Sequence, residues 1–258
     1  MMQFNTLADA LSDAFPHVSS KRLLSWTHRE PLLHRVLTDH PCDFFCLEEV
    51  DHFADSFQPL LSGLGYEGVF AQRRHSADPI SLDGTALFWR KSRFSLLDHA
   101  LAENDGKTFG LVGLFHDAAT SHTLSVCCLH LTAKDRGETR LSEIAAFYAV
   151  LSRVAPAGTA VLIGGDFNDV PESPVCQFLR DRAFSSAYSH PPSSWSTWKK
   201  RDTEVKRVID FIWYRSGDAS SLQLLDTLPI PDDSHFPACL PDLHFPSDHI
   251  NIAALFAL

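Results

Sequence analysis

The sequence predicts an α+β protein, with helices layered over sheets rather than alternating with single strands. Strand-like runs outnumber helical ones, they come in consecutive groups, and only two long segments carry a helical period. The 258 residues are 45% hydrophobic and 21% charged, a globular balance with length enough for a sizeable core.

In chain order, "QFN" closes a first strand at Asn5. "THREPLLHRVLTDH" (27–40) sets Leu32, Leu33, Val36 and Leu37 on one helical face, and Thr27 with Glu30 has capping-box spacing. "CDFFCL" is a continuous apolar run suited to a buried strand, and "ADSFQPLLSGLG" (54–65) is a short helix closed by Gly63 or Gly65. "GTALFWR", "FSLLDHAL", "TFGLVGLF" and "HTLSVCCLHL" follow as four successive strands. "RGETRLSEIAAFYAVLSRV" (136–154) is the second long helix, its apolar stripe built from Leu141, Ile144, Ala145, Tyr148 and Leu151. "AVLIGG", "RVIDFIWY" and "INIAALFAL" complete the strands. Two proline-rich segments, 190–196 and 228–242, read as surface loops, the second long enough to carry function. No linker or repeat divides the chain, so one domain is expected over 1–258.

No apolar run approaches the length of a membrane span. The N-terminus lacks the basic and apolar regions of a secretory signal, and the six cysteines show no zinc spacing. A reducing compartment follows, the cytoplasm, or the mitochondrion if a leader precedes this sequence. The net charge of −10 disfavours a long nucleic-acid footprint, although five of the 22 basic residues cluster in "KKRDTEVKR" (199–207).

The chemistry sits at strand tips. Apolar runs end in Asn5, in Glu48 and Glu49, in His130, and in Asp166 and Asn168; Asp210 lies within a strand, and Asp248 and His249 precede the last one. Each alone has a plain reading as a turn former, cap or packing residue. Asp210, between Ile209 and Phe211, needs a partner, and His249 is a natural one. Asn, Asp and Glu without Cys or paired His ligands favour Mg²⁺ or Mn²⁺ over zinc, which suits phosphate-ester chemistry. No Walker loop, G-x-G-x-x-G or G-x-S-x-G motif occurs.

"FNTLA", "CLEEVDHF", "DGTALFW", "LHLTAK", "GGDFND", "TWKKR", "VIDFIWY" and "PSDH" together resemble the endonuclease/exonuclease/phosphatase superfamily along the whole chain. "EVDHFADSFQPLLSGLGYEGVF" resembles its nocturnin-like branch, beside the carbon-catabolite-repressor-type deadenylases. The resemblance implies a four-layer αββα sandwich. It also implies Glu49 as the principal Mg²⁺ ligand, completed by Asn5 and Asp248 directly or through water. Asp166 would activate the attacking water, and Asn168 would hold the phosphate. His249, oriented by Asp210, and His130 would contact that phosphate from two sides.

Two departures from the pattern stand out: Glu48 stands where the family has Gln, and Thr132 and Lys134 stand where nocturnin-like sequences have Lys and Arg. Thr132 and Lys134 therefore mark the substrate-contacting region with one charge fewer. Arg201 matches a basic contact of the family, and Trp198 is a candidate for stacking a base. The nocturnin resemblance implies removal of the 2′-phosphate of NADP⁺ and NADPH; the deadenylase resemblance implies 3′→5′ trimming of single-stranded RNA ends. The acidic, compact chain leans to the small nucleotide. A catalytically silent RNA- or protein-binding module would be expected to lack site residues, and none is lost.

Overall fold

The central strands present apolar residues on both faces, and each face finds a cover. In the computed structural model, which describes residues 1–18, 20–73, 82–134, 136–189, 194–218, 221–236 and 239–258, the chain runs β1 (Met2–Asn5), α1 (Trp26–Asp39), β2 (Phe44–Val50), α2 (Gln58–Gly63), β3 (Tyr66–Gln72) and β4 (Gly84–Arg90). There follow β5 (Phe94–Asn104), β6 (Lys107–Asp117), β7 (Thr123–His130), α3 (Gly137–Val154), β8 (Ala160–Asp166), α4 (Pro174–Arg180) and β9 (Ser185–Ser186). The remainder comprises β10 (Thr197–Lys200), β11 (Glu204–Arg207), β12 (Asp210–Arg215), β13 (Gln223–Thr227) and β14 (Ile252–Ala257).

Two six-stranded sheets result, in the orders β13-β14-β1-β2-β4-β3 and β5-β6-β7-β8-β12-β9, with β10 and β11 as a separate ribbon. Cys46, Leu87 and Trp89 of the first sheet meet Phe115, Val126, Cys128 and Ile212 of the second in the inner core. On the outside, Leu33 and Leu37 of α1 and Leu61 of α2 cover Phe4, Phe45 and Phe88. Ile144, Phe147 and Leu151 of α3, with Leu179 of α4, cover Leu129, Ile163 and Trp213. Each large apolar side chain buried this way contributes about 1.5–3 kcal/mol. The four-layer sandwich is the expected one.

Two pairings are parallel, β1 with β2 and β7 with β8, and both bring C-terminal tips to one end of the sandwich. The glycines before Asp166 permit this closeness. A Cβ on Gly165 would stand 2.3 Å from the Leu129 carbonyl oxygen, and one on Gly164 would stand 2.6 Å from Met1 Cε across the sheets. "GGD" is thus a packing requirement as well as a motif.

Several local expectations change. Ser25, extended at φ −66° and ψ 146°, caps α1 without a side-chain bond, so Thr27 and Glu30 form no capping box. On α3 the buried face is Arg140, Glu143, Ile144, Phe147, Leu151 and Val154, whereas Leu141 is exposed. The helix is rotated because the Phe147 ring fills the sheet side while Arg140 and Glu143 turn inward to bond neighbouring loops. The 54–65 segment begins with a π-type turn over Phe53–Phe57, and Gly65 at φ +90° follows its end. Residues 190–193 of the first proline-rich segment lie outside the described residues; Trp195 just after them is core, not surface. In the second, residues 237 and 238 lie outside the described residues, Asp233–His235 form a 3₁₀ turn, and Leu240 is fully buried. β3, β9, the β10–β11 ribbon and β13 are short, polar or weakly alternating, and went without a strand signal.

Candidate active site

Register assembles the site. In the first sheet Asn5 lies beside Glu48; in the second His130 lies beside Asp166, which lies beside Asp210. The β10 ribbon bonds across to the Asp248–Ile250 segment through Thr197 Oγ1 to Asp248 O at 2.8 Å and Ile250 N to Ser196 O at 2.8 Å. Six distant stretches of chain therefore share one cleft.

Glu48 and Glu49 separate at an irregularity in the β2–β4 pairing, with Glu49 at φ 53°. Glu49 reaches the cleft and accepts from Ala8 N at 3.2 Å. Glu48 turns into the core, fully buried, accepting from Gln3 Nε2 at 2.8 Å and Cys128 Sγ at 3.3 Å. Burial first, then Cys46, Asp210 and Asp166, pushes its carboxyl well above the ordinary range, so it serves as a neutral group where the family has an amide. Leu7, Lys134 and Asn168 also hold positive φ near these tips. Non-glycine residues kept there store local strain, as functional loops often do.

Asn5 bridges the sheets by donating from Nδ2 to Glu49 Oε1 at 3.2 Å and to Asp166 Oδ2 at 3.0 Å. Its Oδ1 accepts from Leu7 N at 3.0 Å, which fixes the amide with its NH₂ toward the carboxylates. Asp210 takes His249 Nδ1 at 2.9 Å, Gln3 Nε2 at 2.9 Å and Ser196 Oγ at 2.6 Å. The opposite ring nitrogen, His249 Nε2, is 3.8 Å from Asp166 Oδ2, and His130 Nε2 is 3.7 Å from the same oxygen. Two imidazoles thus flank one carboxylate. Asn168 donates its backbone N–H to Asp166 Oδ1 at 2.8 Å and its side-chain amide to Leu131 O at 3.0 Å.

The electrostatics split these groups. Burial and nearby Asp210 lift Asp166 to about 7, against the pull of His249 and Lys199. Burial would depress His249, but Asp210, then Asp248 and Asp166, push it up to about 9. Burial and the surrounding cations Arg73, His249, Lys107 and Lys199 hold His130 well below the usual imidazole range. The cleft therefore carries one imidazolium, one neutral imidazole and a carboxylate near its midpoint, a useful set for general acid–base work.

The expected substrate-contacting residues lie differently. Thr132 donates its backbone N–H to Glu143 Oε2 at 2.8 Å, and its hydroxyl meets Glu143 and the Lys107 ammonium. Lys134 is exposed, its carbonyl held by Arg140 Nη1 at 2.6 Å. Arg201 is exposed with its guanidinium 5.0 Å above the Phe15 ring. Trp198 sits on the opposite side of β10 from the cleft, donating to Glu204 Oε1 at 2.9 Å beneath Lys206.

Strand alternation brings Lys199 in instead. Its Nζ is 3.0 Å from Asp248 Oδ2, and with His249 it holds that buried carboxylate down at about 2. Sequence reading had Lys199 only as part of the basic 199–207 cluster and missed Gln3, Ser196, Arg73 and Lys107; a polar residue inside the apolar "MQFN" and the alternation of "TWKK" were the available signals.

The donor set fits a hard divalent ion. Asp166, Asp210 and His249 set polar atoms within 4.8 Å of one another, but His249 is cationic and bonded to Asp210, so a dication falls to the carboxylate oxygens, with no cysteine thiol among them. Four carboxylates, Glu49, Asp166, Asp210 and Asp248, face one ammonium and one imidazolium, leaving an excess of negative charge for a dication.

A two-sheet sandwich with carboxylates, imidazoles and an amide at one end of its strands defines a phosphoester-cleaving hydrolase. Residues 2–249 match the Endonuclease/Exonuclease/phosphatase family, and the chain belongs to it, a family of divalent-metal-dependent phosphohydrolases and nucleases. Within that family it is nocturnin-like: it is 29% identical to Nocturnin of Rattus norvegicus over a 285-residue alignment covering all of this chain and 65% of the relative. It is also 30% identical to Protein angel homolog 2 of Danio rerio, covering 84% of this chain and 41% of the relative. The structure of the human Nocturnin catalytic domain with bound sulfate anion superposes with a TM-score of 0.79 at 26% identity, covering 99% of this chain and 92% of that one. ANGEL2, a 2′,3′-cyclic phosphatase, in complex with adenosine-2′,3′-vanadate, shares the fold with a TM-score of 0.86 at 22% identity, covering 99% and 94%. The chain spans about 65% of the length of the rat Nocturnin it matches. Among the described residues, no helix is long and apolar enough to cross a membrane.

Proposed function

We propose that the chain is a nocturnin-like NADP(H) 2′-phosphatase, acting as one catalytic domain over 1–258. The observation that carries this reading is the convergence of Glu49, His130, Asp166, Asn168, Asp210 and His249 from separate strand tips on one cleft. Glu49 would hold Mg²⁺ or Mn²⁺ together with Asp248, Asn5 would reach the ion through water because its NH₂ faces the carboxylates, and the bound ion would neutralise phosphate charge. Asp166, poised near 7, takes a proton from water as its oxygen bonds to phosphorus. The bond from phosphorus to the ribose 2′-oxygen breaks, that oxygen keeps the electron pair and takes up a proton from solvent to become the 2′-hydroxyl, and inorganic phosphate leaves. His249, cationic through Asp210, steadies the charge gathering on the phosphoryl oxygens, with the Asn168 amide and His130 on other sides. Lys134 and Arg201 would grip the rest of the nucleotide, with Thr132 shaping its entrance. Trp198 would contribute only by turning from its bond to Glu204.

The net charge of −10 supports a small nucleotide over a polyanion. The second reading, a 3′→5′ exoribonuclease on poly(A), draws on the basic ribbon 199–207. Six unpaired cysteines suit a reducing compartment, the cytoplasm or, with a leader, the mitochondrion. The test is a side-by-side assay of NADPH and oligo(A) with Mg²⁺ or Mn²⁺. Phosphate release from NADPH, abolished by chelator and by Glu49→Ala, is expected. Oligo(A) trimming without that release reverses the ranking, and activity indifferent to both treatments removes the metal mechanism.

A further inference from the structure

Lys199 is the one cation in hydrogen-bond reach of a cleft carboxylate among the described Lys and Arg side chains, and within "TWKKR" the family resemblance marked Arg201 rather than Lys199. Three observations fix its place. Its Nζ rests 3.0 Å from Asp248 Oδ2, with Asp166 and Glu49 also close enough to help hold its charge. Its strand is pinned on both sides, by Trp198 N to Asp248 O at 3.2 Å and by Leu240 N to Trp198 O at 2.7 Å, so the side chain enters the cleft from a rigid support. Its side chain is 24% exposed, whereas Asp248 beneath it is 3% exposed.

We propose that the Lys199 ammonium contacts the phosphoryl group of the substrate and shares Asp248 with the metal ion, setting substrate grip against metal affinity. The inference rests on the phosphohydrolase reading of this cleft. An ammonium has three donors, so a bond to Asp248 leaves two for phosphate oxygens. Its positive charge favours a dianionic phosphate monoester and opposes a dication at the same carboxylate. A residue serving only to brace the loop would have neither effect. It would weaken substrate and metal together when removed. Arg201, exposed above Phe15, is then an outer contact, and Lys199 is the inner one.

The experiment compares the full-length parent, Lys199→Met, Lys199→Arg and the exposed control Lys200→Met. Mn²⁺ binding is read by electron paramagnetic resonance. Binding of inorganic phosphate is read by calorimetry on chelated protein, and turnover on NADPH and oligo(A) is measured separately. Lys199→Met is expected to bind Mn²⁺ roughly ten-fold more tightly, to lose measurable phosphate binding, and to raise KM while lowering kcat. Lys199→Arg keeps the charge and restores phosphate binding in part; Lys200→Met matches the parent in Mn²⁺ binding, in phosphate binding and in NADPH turnover. Unchanged or weaker Mn²⁺ binding in a folded Lys199→Met protein overturns the sharing of Asp248, and retained phosphate binding overturns the contact. If the parent cleaves neither substrate, the phosphohydrolase reading has failed. The phosphate measurement on chelated protein still decides whether Lys199 is an anion contact.

Discussion

Replacing Asp210 with asparagine removes one charge from the centre of the site and nearly nothing from its shape. Asp210 is 1% exposed and accepts from His249, Gln3 and Ser196. Burial alone would depress the His249 imidazole, yet Asp210 foremost, with Asp248 and Asp166, carries it from 6.5 to about 9. Such a rise is worth about 3 kcal/mol of folding stability. The sign follows from linkage: the imidazole binds its proton more tightly folded than unfolded. The contribution is full below about pH 6.5 and disappears as pH climbs through about 9. Asp210→Asn is therefore expected to cost about 2–4 kcal/mol at pH 6 and far less at pH 10. Urea midpoints at the two pH values, measured with chelator present, read this directly. Turnover on whichever substrate proves active should fall about 10²–10⁴-fold, with its alkaline limb moved to lower pH. An equal loss of stability at pH 6 and pH 10 would refute the reasoning, because it would mean that His249 is neutral in the native protein.

Arg140→Gln releases Asp169 Oδ2 at 2.8 Å and the carbonyls of Thr132 and Lys134, so it should cost about 2–4 kcal/mol and lower kcat, read by denaturation and kinetics. Glu48→Gln should stabilise the protein at pH 8, with the gain shrinking toward pH 4.5, because a raised carboxyl binds its proton more tightly folded; paired urea titrations check it. Thr132→Lys should lower the thermal midpoint without raising phosphate release from NADPH, since a second ammonium would contend with Lys107 for Glu143; a Lys107→Thr partner change should recover the stability.

Why the fold was legible and parts of the site were not comes down to how far each decision reaches along the chain. Continuous apolar runs such as "SVCCL" and "VLIGG" demand cover on two faces, and a sandwich of two sheets with outer helices supplies it whatever the connections. The strand tips were legible for the same reason: a carboxylate after such a run is costly wherever it sits, and Asp166, Asp210 and His249 do converge. The facing of α3 was not legible. It is settled by Arg140 and Glu143, which turn inward to bond the His130 and Asn168 loops, partners that no helical period reveals. Glu48 and Glu49 are adjacent and chemically alike; an irregular register with β4 sends one into the core and the other to the cleft. The same holds for Thr132. In the sequence it stands for a missing charge, but in space Lys107, from the neighbouring strand β6, has its ammonium on that hydroxyl, paired with buried Glu143 at 3.0 Å. The charge at that corner is thus already matched, and a cation for the phosphate has to come from elsewhere. In β10, alternation presents Lys199 to the cleft and Trp198 to the far side, so substrate choice turns on strand facing as much as on residue type.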